Sequence, residues 1–161
     1  MSIFRPTAAV PCVLDITPEL LAGIGASAVI LDVDNTLSLH GSQVPFQGTV
    51  EWSHKIRKAG IAVLILSNNT KERVAPFAAQ YGIPFLSRGM KPLPFGYWRC
   101  AKLLGQPCER TAVVGDQVFT DIFGANLSGM KSILLTPFEE EASASFRIRR
   151  RLEKKIRKKI G

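Results

Sequence analysis

Residues 28–37 read Ala-Val-Ile-Leu-Asp-Val-Asp-Asn-Thr-Leu, an apolar run that is interrupted by Asp32 and Asp34 and stops at Asn35-Thr36. Such a dense run of Val, Ile and Leu predicts a strand buried on both faces, because half-exposed strands alternate polar with apolar residues. Carboxylates at the end of a buried strand are costly unless they bind a cation or take part in chemistry. Open α/β sheets also bind ligands beyond the carboxyl ends of their strands. One Asp here could simply cap a helix, whereas the pair favours a functional site.

Length and composition set the broad class of the protein. The chain has 161 residues and is 46% hydrophobic, which predicts one domain with a substantial core. It contains no run of about 18 apolar residues that would span a bilayer, and its amino terminus lacks the features of a signal peptide. Three cysteines without a Cys-x-x-Cys pair favour neither a disulfide framework nor a zinc site. We therefore expect a cytoplasmic protein.

Other apolar runs follow the first at intervals typical of alternating strands and helices. The predicted helices lie near residues 18–25, 49–59, 70–81, 93–104 and 119–127. Strands separated by helices of about ten residues form parallel βαβ units. The sequence thus predicts an α/β three-layer sandwich with a five-stranded parallel sheet, whose strands are Ala28–Asp32, Ile61–Leu66, Ile83–Leu86, Thr111–Val114 and Lys131–Leu135.

Polar clusters follow four of these strands, and each has an ordinary structural explanation when taken alone. Ser67 could cap a helix, Lys91 could be a solvated surface lysine, and Asp116 could belong to a common strand-to-helix turn. Asp121 could pair with a helix dipole. In a parallel sheet, however, the carboxyl ends of all strands lie along one edge. We therefore expect the clusters to converge there; their members are Asp32, Asp34, Ser67, Asn68, Lys91, Asp116 and Asp121.

Together these residue types supply what phosphoryl transfer requires. Carboxylates offer hard oxygen ligands for a divalent ion, a nucleophile and a proton carrier, while lysine and serine can bind phosphate oxygens. Carboxylate ligands suit Mg²⁺ better than softer metals. His40 and His54 are predicted to lie in a loop and on a helix surface, so they do not favour zinc.

Four motifs together resemble those of the haloacid dehalogenase (HAD) superfamily of phosphohydrolases. They are Asp-Val-Asp-Asn-Thr-Leu at 32–37, Leu-Ser-Asn-Asn at 66–69, Lys91-Pro92, and Gly-Asp-Gln-Val-Phe-Thr-Asp-Ile at 115–122. The resemblance covers roughly residues 12–136. It is greatest to the subfamily IIIA branch called YqeG-like, which is similar to the phosphatidylglycerophosphate phosphatases of mitochondria and plastids.

The resemblance implies a role for each residue of the motifs. Asp32 is expected to be the nucleophile that forms an aspartyl-phosphate, and Asp34 the general acid and base. Ser67 and Asn68 are expected to bind the substrate phosphate, and Lys91 to neutralise charge shared by Asp32 and the phosphoryl group. The implied Mg²⁺ ligands are Asp32, the main-chain carbonyl of Asp34, and Asp116, with Asp121 either a ligand or just outside them.

The gaps between the motifs are too short for a lid domain. In this superfamily such caps are inserted after the first motif or between the second and third. Residues 35–60 hold little beyond a loop and a helix, and residues 70–90 hold one helix and one short strand. We therefore expect a capless domain over residues 1–142 with an open cleft, in which water is excluded by the substrate, the 38–47 loop or a neighbouring subunit.

The carboxy-terminal segment carries the whole net charge of the protein. The net charge is +8; residues 147–161 hold nine Lys or Arg against Glu153, and the rest of the chain holds 12 basic and 12 acidic residues. Residues 143–161 are predicted to be a basic amphipathic helix or tail, with an apolar stripe formed by Ile148, Leu152, Ile156 and Ile160. The segment could bind an anionic membrane, bind nucleic acid, or pack on the domain with its charges in solvent. No aromatic residue lies among the charges, which disfavours base stacking.

Three functions are consistent with these patterns. The leading hypothesis is a Mg²⁺-dependent phosphomonoesterase of the aspartyl-phosphate type that acts on a phospholipid head group such as phosphatidylglycerophosphate, peripherally at the inner face of the membrane. The second is a soluble phosphatase for a nucleotide, a sugar phosphate or a phosphoprotein. The third is a binding protein that associates with RNA or the ribosome through the basic tail.

Overall fold

The fold is built on a parallel sheet. The computed structural model describes residues 2–136 and 144–160, with side chains only from 151 onward in the second segment. Within these residues six strands pair in parallel in the order β1-β6-β5-β2-β3-β4. The strands are β1 (Ala8–Val10), β2 (Ala28–Leu31), β3 (Ala62–Leu66), β4 (Phe85–Leu86), β5 (Thr111–Gly115) and β6 (Lys131–Leu135). The predicted α/β architecture is confirmed, but the predicted count of five strands is wrong by one.

The additional strand is β1, which lies at one edge of the sheet. It pairs with β6 and places Ala8 opposite Ile133. Because β1 has only three residues and lies between Pro6 and Pro11, it is too short to show a strand pattern. Proline near a strand favours an edge position, where fewer backbone hydrogen bonds are needed.

Six α-helices accompany the sheet in the part of the chain that the structure describes. They are α1 (Pro18–Gly23), α2 (Thr49–Lys58), α3 (Lys71–Tyr81), α4 (Pro94–Leu104), α5 (Phe123–Leu127) and α6 (Ala144–Ile160). The start of α1 follows from its sequence, because the Thr17 hydroxyl accepts a hydrogen bond from the Leu20 amide at 3.1 Å and Pro18 occupies the first helical position. The predicted helix over 119–127 instead begins with a π-helix, Val118–Ile122, which continues into α5. Single π turns are rare in proteins, and those that occur are often found at functional sites.

Both faces of the sheet are covered, as the continuous apolar strands predict. Val29 and Leu31 of β2 point to one side, into a core cluster with residues of α1, α2 and α3. Ile30 points to the other side and packs in a cluster with Tyr97 of α4 and Ala125 of α5. Successive side chains of a strand point to opposite faces, so these contacts define three layers. Residues 32–48 and 87–93 connect elements without adding a cap domain.

Helix α6 packs against the domain near the carboxyl end of β6. Ile156 packs beside an apolar cluster formed by Val118, Ile122 and Leu134. The face toward the domain differs from the predicted stripe, because Leu152 is 50% exposed whereas Glu153 is only 1% exposed. The side chains of Arg147 and Ile148 and the predicted boundary at 142/143 lie outside the described residues. None of the described helices is both long enough and apolar enough to cross a bilayer.

Candidate active site

Asp32 lies at the centre of the carboxyl edge of the sheet. It follows β2, which pairs with β3 on one side and β5 on the other, and its amide donates to the carbonyl of Val114 at 3.1 Å. The ammonium group of Lys91 donates to Asp32 Oδ1 at 2.9 Å and to Asp121 Oδ1 at 2.8 Å. The Lys91 side chain is 5% exposed and that of Asp121 is fully buried. The buried ammonium group of Lys91 thus joins Asp32 and Asp121, which lie 59 and 30 positions away from it in the sequence.

Three carboxylates surround a space in which a cation could be held. One oxygen atom from each of Asp32, Asp116 and Asp121 lies within 4.8 Å of the others. Three hard oxygen donors at this separation fit Mg²⁺, which takes carboxylate and water ligands. The group consists of side-chain oxygen atoms only. Coordination of the cation by the main-chain carbonyl of Asp34 therefore stays a prediction.

Burial and crowding change the proton affinities of these groups in the absence of a cation. Burial, together with the nearby Asp121 carboxylate, raises the pKa of Asp32 to about 7, although Lys91 opposes the shift. The pKa of Asp121 is also raised, mainly by burial. Burial alone would lower the pKa of Lys91, but the carboxylates of Asp121 and Asp32 outweigh it and raise that pKa above its ordinary value. Lys91 therefore remains protonated at neutral pH.

The close approach of Asp121 to β5 requires a glycine at position 115. A Cβ atom at Gly115 would lie 2.6 Å from the Cβ of Asp121 and closer still to its carboxyl group. The loop is further fixed because the Gln117 amide donates to Asp121 Oδ2 at 3.2 Å. Glycine therefore permits the acidic side chain to turn back against the strand end.

We expect Gly115→Ala to displace Asp121 and to weaken divalent-cation binding by about tenfold or more, the scale found when groups around a metal are disturbed. Titration calorimetry with MgCl₂ measures this change. Gly129→Ala is not a suitable comparison because Gly129 has a φ of +79°, whereas Gly23 has open space at its Cβ position. Unaltered Mg²⁺ binding in Gly115→Ala, with Gly23→Ala as the reference, would show that the loop can accommodate the methyl group.

Asp34 is held by groups that the sequence analysis did not identify. Its Oδ1 accepts hydrogen bonds from the Gly41 amide at 3.0 Å and from Arg73 Nη2 at 3.1 Å. Its Oδ2 accepts from Asn69 Nδ2 at 3.0 Å, and His40 Nδ1 lies 3.8 Å away. These donors come from the 38–47 loop, the β3 end and α3, so the carboxylate is oriented from three directions. The predicted loop position of His40 thus places it beside the acid.

Ser67 and Asn68 occupy the next strand end and contact the backbone of the site. Ser67 is buried, and its Oγ accepts from the Asn69 amide at 3.1 Å. The Asn68 side chain accepts from the Lys91 amide at 2.7 Å and donates to the Lys91 carbonyl at 3.1 Å. The side chain of Asn68 therefore orients the lysine loop. The alternative of a solvated surface position for Lys91 is wrong, because its ammonium group is enclosed by carboxylates.

Five of the predicted site residues line a cleft of about 170 Å³, whereas the fully buried Asp116 and Asp121 lie behind its lining. Its volume suits a phosphoryl group rather than a whole large substrate. Four of its residues, His40, Asn69, Gln117 and Thr120, were not predicted as site residues. The cleft is lined by Asp32, Asp34, His40, Ser67, Asn68, Asn69, Lys91, Gln117 and Thr120.

Large apolar side chains are exposed next to the lysine of the cleft. Met90 and Leu93 flank the Lys91-Pro92 pair and are 63% and 43% exposed. Phe95 and Trp98 follow on the first turns of α4, with ring centroids 5.9 Å apart in an edge-to-face arrangement. Exposed apolar groups that cluster beside a site commonly mark a surface that contacts another molecule.

Comparisons with known proteins agree with this architecture. A family model for haloacid dehalogenase-like hydrolases matches residues 15–129. The chain is 33% identical over 153 residues to the Probable phosphatase YqeG of Bacillus subtilis (strain 168), covering 95% of this chain and 89% of that protein.

Solved structures share the fold at lower sequence identity. A HAD family hydrolase from Deinococcus radiodurans R1 with bound phosphate and sodium has a TM-score of 0.58 at 18% identity, covering 78% of this chain and 89% of that chain. The cobalt-bound deoxy-D-mannose-octulosonate 8-phosphate phosphatase of Haemophilus influenzae has a TM-score of 0.51 at 20% identity, covering 81% and 88%. At these identities the likeness supports the fold alone.

Proposed function

The chain belongs to the haloacid dehalogenase-like hydrolase family and is a phosphatase of that family, and on this premise we propose that it hydrolyses phosphomonoesters through an aspartyl-phosphate on Asp32 with the aid of Mg²⁺. The observation that carries the proposal is the buried group in which Lys91 contacts both Asp32 and Asp121. The proposed nucleophile, the proposed ligands of the cation and a compensating positive charge thus lie next to one another.

The proposed reaction has two steps that use two carboxylates. In the first, an oxygen of Asp32 attacks the phosphorus atom, the bond from phosphorus to the ester oxygen breaks, and Asp34 donates a proton to the leaving oxygen. In the second, Asp34 accepts a proton from water, whose oxygen attacks the phosphorus and releases Asp32 and inorganic phosphate. The four groups around Asp34 support this role because they hold one carboxylate in place for both proton transfers.

Charge compensation supports the choice of Asp32 as the nucleophile. Lys91 donates directly to Asp32 Oδ1, so it can reduce the repulsion between the carboxylate and an incoming phosphoryl group. Asp32, Asp116 and Asp121 would hold Mg²⁺, which neutralises further charge on the phosphoryl oxygens when it is bound. Ser67 Oγ, at the cleft wall, is proposed to donate to a phosphate oxygen.

Phosphate release from a panel of monoesters tests this proposal. The panel contains p-nitrophenyl phosphate, a nucleoside monophosphate, a sugar phosphate, a phosphopeptide and phosphatidylglycerophosphate in mixed micelles. We expect release that requires added MgCl₂ and that stops when excess chelator removes the cation. Equal release with and without the cation would contradict the proposed metal dependence, and no release from any ester would contradict the proposed activity.

The binding of Mg²⁺ is expected to weaken as the pH falls below about 7. The pKa of Asp32 lies near 7, instead of near its ordinary value of 3.8, because of burial and the Asp121 carboxylate. A proton on Asp32 must leave before the carboxylate can bind a cation, so protons compete with Mg²⁺ on the acidic side. Titration calorimetry at pH 6 and pH 8 should give a dissociation constant at pH 6 that is higher by up to about tenfold, as expected for one competing proton. The difference should shrink in Asp32→Asn, and equal dissociation constants in the wild type would contradict the assignment.

The substrate class that we propose is a phosphomonoester on a lipid head group, with phosphatidylglycerophosphate as the leading candidate. The proposal is supported by the capless cleft and by the exposed apolar side chains of Met90 and Leu93, which flank the Lys91-Pro92 pair in the chain, and of Phe95 and Trp98 on α4. Aromatic side chains and basic residues are both favoured where proteins contact anionic bilayers. Residues 73–108 contain no Asp or Glu and include the exposed basic residues Arg88, Arg99 and Lys102, and α6 adds further positive charge.

Vesicle sedimentation separates this substrate class from the soluble alternatives. We expect wild-type protein to bind vesicles that contain phosphatidylglycerol, and Phe95→Ser/Trp98→Ser protein to bind them less while it still hydrolyses p-nitrophenyl phosphate. Leu103→Ser is the matched control, because Leu103 is exposed on the later turns of the same helix. Absence of vesicle binding, combined with turnover of a nucleotide, sugar phosphate or phosphopeptide, would instead favour a soluble phosphatase.

A further inference from the structure

The carboxy-terminal helix contacts the backbone of the cation site. Arg157 Nη2 donates to the main-chain carbonyl of Asp116 at 2.8 Å and to that of Leu135 at 3.4 Å. These two residues are 41 and 22 positions away in the sequence. One guanidinium group from α6 therefore joins the end of β6 to the loop that follows β5.

The contact is in a place where solvent cannot easily substitute for it. Asp116 is fully buried, and Leu135 is 2% exposed. Ile156, the neighbour of Arg157, packs against the apolar cluster of Val118, Ile122 and Leu134, of which Val118 and Ile122 follow Asp116 closely in the chain. A buried carbonyl requires a hydrogen-bond donor, and the packed helix supplies that donor from one side.

The same loop is fixed from its other side by the site itself. Asp121 Oδ2 accepts from the Gln117 amide, and the Asp121 amide donates to the Gln117 carbonyl at 2.9 Å. The peptide groups around Asp116 are thus held between a residue of the cation site and a residue of α6. Groups that orient metal ligands commonly affect metal affinity almost as strongly as the ligands themselves.

We propose that Arg157 is a positioning residue for the cation site, so that α6 is a working part of the catalytic centre in addition to being a basic surface. Arg157 itself does not touch the cation or the substrate; it fixes the main chain from which the Asp116 carboxylate extends. The inference rests on the proposed function, since it assumes that Asp32, Asp116 and Asp121 hold Mg²⁺.

The affinity for MgCl₂, measured by titration calorimetry on the full-length protein, tests the proposal. Arg157→Met keeps most of the side-chain volume but removes the donors, and we expect it to raise the Mg²⁺ dissociation constant by about tenfold. Arg157→Lys keeps one donor and should give a smaller rise. Lys158→Met removes the same charge from an exposed neighbour on α6 and should leave the dissociation constant within about twofold of the wild type, as is usual for surface changes.

If Arg157 served only to hold α6 in place, Ile156→Ala and Arg157→Met would weaken Mg²⁺ binding to a similar extent. The proposed positioning role predicts a difference between them. Ile156→Ala weakens the packing of α6 but leaves the guanidinium group, so it should lower the temperature of unfolding with less effect on Mg²⁺ affinity than Arg157→Met. If Arg157→Met fails to fold, the comparison of Arg157→Lys with Ile156→Ala takes its place. Equal Mg²⁺ affinity in wild type and the Arg157 variants would overturn this inference while leaving the proposed function intact. Absence of Mg²⁺ binding by the wild type would overturn both.

Discussion

Asp32→Asn protein should release phosphate at least about 10³-fold more slowly than wild type, because the amide that replaces the carboxylate cannot act as the nucleophile. The substitution keeps the shape of the side chain and retains an oxygen that can accept the hydrogen bond from Lys91. Lys91 contacts two carboxylates, and the second, that of Asp121, is retained. The fold should therefore persist. Initial rates with p-nitrophenyl phosphate in saturating MgCl₂ provide the measurement.

Two further readings identify the cause of the expected loss. Asp15→Asn is the matched control, because Asp15 is an exposed carboxylate that accepts a hydrogen bond from the Cys12 amide and lies outside the site; its activity should equal that of wild type. In addition, mass spectrometry of acid-quenched protein should detect a phosphoryl adduct on wild type and none on Asp32→Asn. Wild-type rates in the Asp32→Asn protein would exclude Asp32 as the nucleophile.

The positions of the main site residues could be anticipated because the sheet is parallel. Continuous apolar runs identify buried strands, and in a parallel sheet the carboxyl ends of those strands lie at one edge. Asp32, Ser67 and Asp116 each follow such a run, so topology alone brings them near one another. Residues whose position is decided by the parallel strands could therefore be predicted from the sequence.

Other contacts could not be predicted from the sequence, because they depend on how separate helices and loops pack. Arg73 lies on a helix that shows an ordinary amphipathic pattern, and its contact with Asp34 joins residues 39 positions apart. The role of Asn68 in holding the Lys91 backbone is likewise decided by loop geometry. Gly115 offers a partial exception, because a glycine at the end of a buried strand indicates a close approach without naming the partner.

The carboxy-terminal segment shows the same limit on a larger scale. Its apolar residues at steps of four suggest a stripe that includes Leu152, yet that residue is 50% exposed and Glu153 is buried. The packed face follows Ile156 and Arg157, because a main-chain carbonyl of the site and a small apolar cluster are the partners that it meets. Periodicity identifies a helix with a preferred face, but the partner surface decides which residues that face contains.

Lys91→Met should lower the free energy of unfolding in the absence of a divalent cation by about 3–5 kcal/mol, the usual cost of removing one partner of a buried ion pair. The substitution leaves Asp32 and Asp121 close together without the ammonium group that contacts both. It should also reduce turnover by about 10²–10³-fold, since a donor aimed at the reacting charge is lost. Urea unfolding in the presence of a chelator measures the stability, and p-nitrophenyl phosphate hydrolysis measures the turnover.

The pH dependence of this loss distinguishes electrostatics from packing. Lys91 lowers the pKa of Asp32 against the raising effects of burial and of Asp121, so its removal raises that pKa further and favours the neutral acid. Protonation then relieves the repulsion at low pH, and we expect the destabilisation to be smaller at pH 5.5 than at pH 8. Added MgCl₂ should recover part of the stability at pH 8, because a bound cation replaces the missing charge. Lys102→Met changes an exposed residue of α4 and should alter the free energy of unfolding by less than about 0.5 kcal/mol. If Lys91→Met lost the same free energy of unfolding at both pH values, the lysine would contribute through its packed methylene chain instead.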